Sequence, residues 1–366
     1  MNLEERVYYL AFSLVFGLGP ARFKLLKDYF GGVKKAFLAP EAEVRKTGLP
    51  KQVLEKYIWQ QKNFQPERYL EMLQQREIGF ITMEDKDYPS LLKQIVDPPI
   101  AIFYKGKNLL SEETMKIGVV GTRKMTSYGK EITELLVKEL VLKHLVIVSG
   151  MALGIDGCAH KTAIENKGET IAVLGAGVDI IYPREHTRLY YDIINSGGMI
   201  VSEVPPGKFV GKGIFPARNR IISGLSKAVL VIEGTEDSGS LITARLALEQ
   251  EREVLAVPGP VTSPYSQGPL SLIKNGAKLV TNANDIFEEI GLRVENNIYK
   301  REKRIPTANN PTEQKIIDML QSGSREFDEI IRQLDLTVAD LASTLSLMEI
   351  NNQVVLKEGK YELNYC

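Results

Sequence analysis

The sequence predicts a doubly wound α/β domain, preceded by a helical segment and followed by a small domain of helices and a hairpin. Two observations carry the central assignment. From about residue 80, short β-rich runs alternate with stretches of helical length, for example 127–142, 153–166, 186–196 and 239–250. The runs are GFITM, IAIFY, KIGVV, LVIVS, TIAVL, GMIVS, AVLVI and EVLAV, and the last six are near-continuously apolar. Strands buried on both faces of a parallel sheet have this composition, and alternating β and α elements build such a sheet. The α/β texture is densest over roughly 110–291.

Residues 1–75 read as helical throughout. The apolar run from Val7 to Leu18 follows Glu4 and Glu5 and is short for a membrane span, so it predicts a core helix. Gly17 and Gly19 permit a tight turn, and Pro20 opens the next helix. This Gly-Leu-Gly-Pro turn resembles a helix-hairpin-helix unit, whose turn amides hold a backbone phosphate. KTGLPKQVLEKY at 46–57 resembles a degenerate second copy, but Phe23 stands where the following helix usually has a small residue. A plain packing turn is the alternative. Residues 292–311 are poor in apolar residues and contain a basic run, the composition of a linker. Over 312–366 the pattern predicts three short helices (312–321, 325–334, 337–349) and a hairpin, QVVLKEGKYEL, an order that resembles a winged helix.

Composition narrows the function. The 366 residues carry no net formal charge, so any nucleic-acid affinity has to come from a local patch. Two cysteines, Cys158 and Cys366, and three scattered histidines form neither a disulfide framework nor a metal pattern. A reducing cytoplasm, no metal and no cofactor are the expectations.

Ligands of open α/β sheets bind beyond the carboxyl ends of the strands. There the sequence places Gly121-Thr122-Arg123, Ser149-Gly150 through Asp156, Gly175-Ala-Gly177, and EGTEDSGSLITARLALEQ. Small residues let a ligand approach backbone amides, and helix N-termini aim those amides at anions. FPARNRIISGLS adds Arg218, Asn219 and Arg220, with no acidic residue between Glu203 and Glu233. Ile214, Phe215, Ile221, Ile222 and Leu225 around them read as core. Together these features suggest a groove for phosphates. A dinucleotide GxGxxG after the first strand of the αβ set and a GxxxxGK[ST] loop are both missing. Asp156 and His160, four apart on a helix, read either as an acid/base pair or as a helix cap and a packed histidine. Ser238 to Ser240 read as an N-cap and anion-binding turn rather than a nucleophile.

Seven segments then appear in order: GVVGTRKMTSYGK, VSGMALGIDGCAH, GAGVDIIYPREHTRLYYDI, GMIVSEVPPG, FPARNRIISGLSKAVLVIE, SGSLITARLALEQEREVLAVPG and GPLSLIKNGAKLV. This set resembles the DNA-processing protein A (DprA/Smf) family, strongly over 80–291 and more loosely at the two ends. The resemblance implies an extended Rossmann-like sheet flanked by a helical, helix-hairpin-helix or SAM-like, domain and a winged-helix domain. It implies a cytoplasmic homodimer that binds single-stranded DNA, protects it and helps load RecA recombinase during natural transformation. Carried over by position, the DNA- or phosphate-binding residues are Gly121, Thr122, Arg123, Ser149, Gly150, Arg218, Asn219, Arg220, Gly239, Ser240 and Thr243. The family's tyrosine-proline segment usually continues with an asparagine and a basic residue. Here those places hold His186 and Thr187, with Arg184 and Arg188 on either side to supply charge. Tyr190 is either a base-stacking ring or a helix residue buried against the sheet.

Arginine and backbone amides suit phosphates, and an aromatic suits a bare base. Arg218 and Arg220 are accordingly expected to face a strand's phosphates, unless one bridges to a core carboxylate such as Glu233 or Asp156. The third winged-helix helix carries Asp340 and Glu349 and no Lys or Arg, so it is expected to bind protein or dock on its own chain rather than read duplex. The enzymatic alternative is a nucleoside-monophosphate phosphoribohydrolase of the lysine-decarboxylase-like group. Its catalytic Glu has no counterpart at the helix start, where Thr243 stands, although Glu233 lies nearby. A protein adaptor with a relic pocket is the third reading.

Overall fold

The structure, a computed structural model, describes residues 3–209, 214–292, 306–334, 336–357 and 359–364. The chain divides into two compact units, Met1–Arg293 and Val294–Cys366.

The first unit opens with helices α1 (Leu3–Ser13), α2 (Pro20–Phe30), α3 (Val33–Leu38), α4 (Glu41–Val44), α5 (Lys51–Asn63) and α6 (Pro66–Gln75). Apolar residues at helical spacing give each longer helix one buried face. Phe12 stacks on Tyr57 with ring centroids 5.3 Å apart. Phe23 closes the same core against Tyr9, at 5.3 Å, which accounts for a bulky residue after the Gly-Pro turn. Gly17 has φ +90°, a value that strains any other residue, and Pro20 occupies the first turn of α2.

A nine-stranded sheet follows: β1 (Gly79–Thr82), β2 (Ala101–Gly106), β3 (Lys116–Val120), β4 (Val146–Ser149), β5 (Thr170–Val173), β6 (Met199–Ser202), β7 (Ala228–Val231), β8 (Glu253–Ala256) and β9 (Lys278–Leu279). The spatial order is β1-β2-β6-β5-β4-β3-β7-β8-β9. The pairs from β6 through β9 are parallel, while β1 and β2 add an antiparallel edge. All eight expected runs are strands; the two-residue β9 was not among them.

Helices cover the sheet: α7 (Ser90–Lys93), α8 (Ser127–Leu142), α9 (Ile155–Glu165), α10 (Thr187–Asn195), α11 (Ile214–Leu225), α12 (Gly239–Glu249), α13 (Gln267–Lys274) and α14 (Ala283–Glu289). Successive strand residues point to opposite faces, so Ile171 and Val173 pack with Leu92, Ile221 and Ala244. Ala172, between them, packs on the other side with Ile193, Ile200 and Leu10 of α1. The N-terminal helices thus share a core with the sheet. Arg6 strengthens that junction, pairing with Asp85 at 2.9 Å and donating to the Phe80 carbonyl at 3.0 Å.

The second unit contains α15 (Pro311–Leu320), β10 (Arg325–Glu326), α16 (Phe327–Leu334), α17 (Val338–Ile350), β11 (Val354–Lys357) and β12 (Lys360–Leu363). Ile316, Ile330, Leu341, Leu345, Val354 and Leu363 form its core, and the strands pair in the order β10-β12-β11. This is a winged-helix arrangement. Cys366 and nearly all of the linker lie outside the described residues, as do the side chains of Glu4, Ile214 and Phe215.

Candidate nucleic-acid interface

Strand order reverses at β3. From it the chain winds one way through β4, β5 and β6, and the other way through β7, β8 and β9. Loops diverge at such a point and leave a crevice beyond the carboxyl ends. Gly121 to Lys124 follow β3, Gly150 to Leu153 follow β4, Thr235 and Ser238 precede α12, and Gly239 and Ser240 open it; these line the crevice with Arg218 of α11.

Arg123, Ala152 and Arg218 stand between two compartments. One, of about 490 Å³, is of mixed character, with Thr122, Lys124, Asp156, Asn219, Ser240 and Thr243 on its walls. The Ser238 hydroxyl caps α12 by accepting from the Ser240 amide at 3.4 Å. A Cβ on Gly239 would meet nothing within 4 Å, so the start of α12 is open to approach. The other compartment is tighter, about 80 Å³, and largely apolar, with Leu174, Ile180, Tyr182 and Phe209 on its walls. Tyr182 and Phe209 are 44 % and 57 % exposed and their rings meet edge to face at 5.7 Å.

Arg218 is buried. Its Nη1 donates to the carbonyls of Gly150 and Val173, and its Nε to Asn219 Oδ1 at 3.3 Å. A side chain at Gly150 would strike the guanidinium 2.6 Å away, so only glycine leaves room for it. Burial lowers the Arg218 pKa to about 10, against the opposing pull of Asp156, so the group remains a cation at neutral pH. Asp156 is also buried. Burial raises its pKa, and Arg218 is the chief influence in the opposite sense. The Asp156 carboxylate accepts from the amides of Gly150 at 3.1 Å and Ala152 at 3.4 Å. It braces the turn after β4 rather than capping α9, whose N-cap position holds Gly154. His160 makes no pair with it. His160 Nδ1 meets Thr170 Oγ1 at 2.7 Å, and Thr170 already donates to the Ile147 carbonyl, so Nδ1 carries the proton of a neutral ring.

Several expected contacts are placed otherwise. Arg220 turns away from the crevice: its Nη2 reaches both Glu203 oxygens, at 2.8 and 2.7 Å, and its Nε lies 3.5 Å from Asp97. The carboxylate is Glu203, neither Glu233 nor Asp156. Ser149 is fully buried, with its hydroxyl donating to the Val119 carbonyl at 2.6 Å, and the Gly150 amide is taken by Asp156. Tyr190 is core: it is 3 % exposed, and its hydroxyl donates to the Val178 carbonyl at 2.5 Å. Burial pushes its pKa up to about 12. A ring so placed cannot stack on a base. Arg188 projects into solvent beside Asp192, at 3.6 Å, and Arg184 is exposed on the turn after Pro183. His186 and Thr187, the departures from the family pattern, hold that turn. His186 Nδ1 lies 3.0 Å from the Met151 carbonyl, and Thr187 donates to the Arg184 carbonyl at 2.6 Å.

Gly121, Thr122, Arg123, Gly150, Arg218, Asn219, Gly239, Ser240 and Thr243 therefore converge on the crevice, Arg123 at its exposed mouth. Lys124, Tyr182 and Phe209, which were not among the expected residues, line it too. Tyr182 belongs to the tyrosine-proline segment and Lys124 adjoins Arg123, so both carried a signal in the sequence; Phe209 carried none. Glu233 is buried and accepts from the Thr126 amide at 2.9 Å and the Thr126 hydroxyl at 2.5 Å. Among the described residues no cluster of His, Cys, Asp and Glu could hold a metal, and no helix is long and apolar enough to cross a membrane.

The family model described as DNA recombination-mediator protein A matches residues 79–291. The chain belongs to that family. A second model, the DprA winged helix domain, matches residues 300–360. DNA processing protein DprA of Bacillus subtilis (strain 168) is 49% identical, over 61% of this chain and 75% of its own length. Protein Smf of Synechocystis sp. is 36% identical over 98% of both chains. Among solved structures, DprA of Streptococcus pneumoniae is 35% identical with a TM-score of 0.67, covering 79% of this chain and 98% of the other. DNA processing protein A of Helicobacter pylori, described for its single-stranded DNA binding mode, is 31% identical with a TM-score of 0.52, covering 57% and 94%.

Proposed function

We propose that this chain holds single-stranded DNA, uncut, in the crevice at the carboxyl ends of its central strands. The observation that carries the reading is the pairing of Arg123, Lys124 and Arg218 with the exposed rings of Tyr182 and Phe209 around one opening. Cations meet phosphates there and rings meet bases, the two demands of an unpaired strand. Gly121, Thr122, Gly150, Asn219, Gly239, Ser240 and Thr243 shape the backbone path, and Arg184 and Arg188 stand outside its lining. The single-strand binding of the Helicobacter pylori relative supports this.

The chain acts without catalysis, metal or cofactor. Glu233, the carboxylate the hydrolase alternative pointed to, is committed to Thr126 at the start of α8, and Asp156, which lines the crevice, is committed to the Gly150 and Ala152 amides. A recombination mediator hands its strand to a recombinase, so RecA is the partner this reading names, in natural transformation or recombination. A cytoplasmic homodimer accords with the family.

The test is a titration of oligo-dT against salt. For a single strand log K falls by about 0.7 per neutralised phosphate for each log unit of salt. Arg123→Ala should weaken binding and flatten the slope by about one such increment. A slope unchanged in Arg123→Ala, or hydrolysis of nucleoside monophosphates by the parent chain, would overturn the proposal.

A further inference from the structure

A second groove, of about 540 Å³, lies between the N-terminal helices and the segment after β6. Trp59, Asn63 and Arg68 line one side, and Pro205, Pro206 and Lys208 the other. Trp59 is the only tryptophan of the chain, and its ring is 63 % exposed. A ring left open in a groove offers a flat apolar face that a ligand can cover. No carboxylate lines the groove, while Arg68 and Lys208 are both exposed on its walls. Neither makes an ion pair among the described residues. Ring, cations and amides on one surface are what an unpaired nucleic-acid strand requires.

The groove adjoins the crevice along the chain, although the two share no lining residue. Lys208 lines one and Phe209, its neighbour, lines the other. Hydrogen bonds pin the chain between them. The Gly177 amide donates to the Lys208 carbonyl at 2.9 Å, and the Gly207 amide to Asp179 at 2.8 Å. Arg76, just after α6, pairs with the same Asp179 at 2.8 Å. The helical segment is thereby tied to the edge of the crevice.

We infer that a strand leaving the crevice past Phe209 continues into this groove, where Trp59 stacks on a base and Arg68 and Lys208 take phosphates. The inference rests on the single-strand reading of the crevice. It gives the N-terminal helices a contact through α5 and α6, apart from the Gly-Pro turn of a helix-hairpin-helix.

Because the chain holds one tryptophan, its emission reports on this groove alone. The full chain is titrated with a labelled dT strand of about 15 nucleotides, long enough for both sites. Emission and strand anisotropy are followed together. Binding should quench Trp59, and Arg68→Ala with Lys208→Ala should remove the quenching. Trp59→Ala should weaken binding of this strand by about 5–150-fold, the range of one lost base stack. The substituted side chains are exposed, and circular dichroism checks that each variant folds. Binding with undisturbed emission and full affinity in Trp59→Ala overturns the groove and leaves the crevice standing. No binding at low salt overturns both.

Discussion

Arg218 and Arg220 stand two apart in the sequence and about 200° apart around a helix. One therefore faces the crevice and the other the Glu203 side of α11. Read as a string, Arg-Asn-Arg is one basic patch; wound into a helix it is two sites. Tyr190 and Tyr191 divide similarly, the first buried and the second 53 % exposed. Tyr190→Phe should cost about 1 kcal/mol in urea denaturation, the worth of its bond to Val178, and leave oligo-dT affinity unchanged. A loss of DNA affinity in that variant would restore the stacking role. His160 supplies a pH prediction. Burial drops its pKa from 6.5 to about 3, so the folded chain holds it neutral where the unfolded chain protonates it. Its contribution is fully present above pH 6.5. It is lost as pH falls from there toward about 3, by up to about 1.4 kcal/mol per unit. Denaturation of His160→Gln across this range should show a shallower slope than the parent chain.

At the scale of elements, helix starts organise the crevice. Thr126 caps α8 by accepting from the Gly129 amide at 3.1 Å, and Glu233 accepts from Thr126 in turn. The carboxylate sits at the positive end of α8, where a negative charge is favoured. Separately, the Glu233 backbone carbonyl closes the turn that presents Arg123, accepting from the Thr122 amide at 2.7 Å. Glu233→Ala should cost about 1–2 kcal/mol of stability by denaturant titration, the loss of a cap and its charge. It should weaken oligo-dT binding only through the loosened Thr126 cap beside that turn, since the Glu233 backbone carbonyl is kept. Most of this scale was legible in the sequence. The boundaries of α8 and the strands β3 to β8 follow from period and apolar runs, because buried parallel strands tolerate few polar residues.

For the whole molecule, charge separates the two units. Residues 294–366 hold twelve Asp and Glu against nine Lys and Arg. Such a surface repels a phosphate backbone, and α17 brings no cation to a groove. Removing the chain after Arg293, at the boundary between the compact units, should leave oligo-dT affinity within about twofold and the salt slope unchanged. A large fall in either would assign the winged helix to DNA. The sequence by itself determined the α/β class, the order of the strands along the chain, the turns that reach the crevice and the family. Those depend on local period, composition and short-range turn chemistry, which each segment carries within it. Only the tertiary structure decided which charges remain available. Glu203 claims Arg220, Asp156 balances Arg218, and Phe209 comes to face Tyr182. Each of these needs segments distant along the chain to be brought together, and no local pattern encodes that distance.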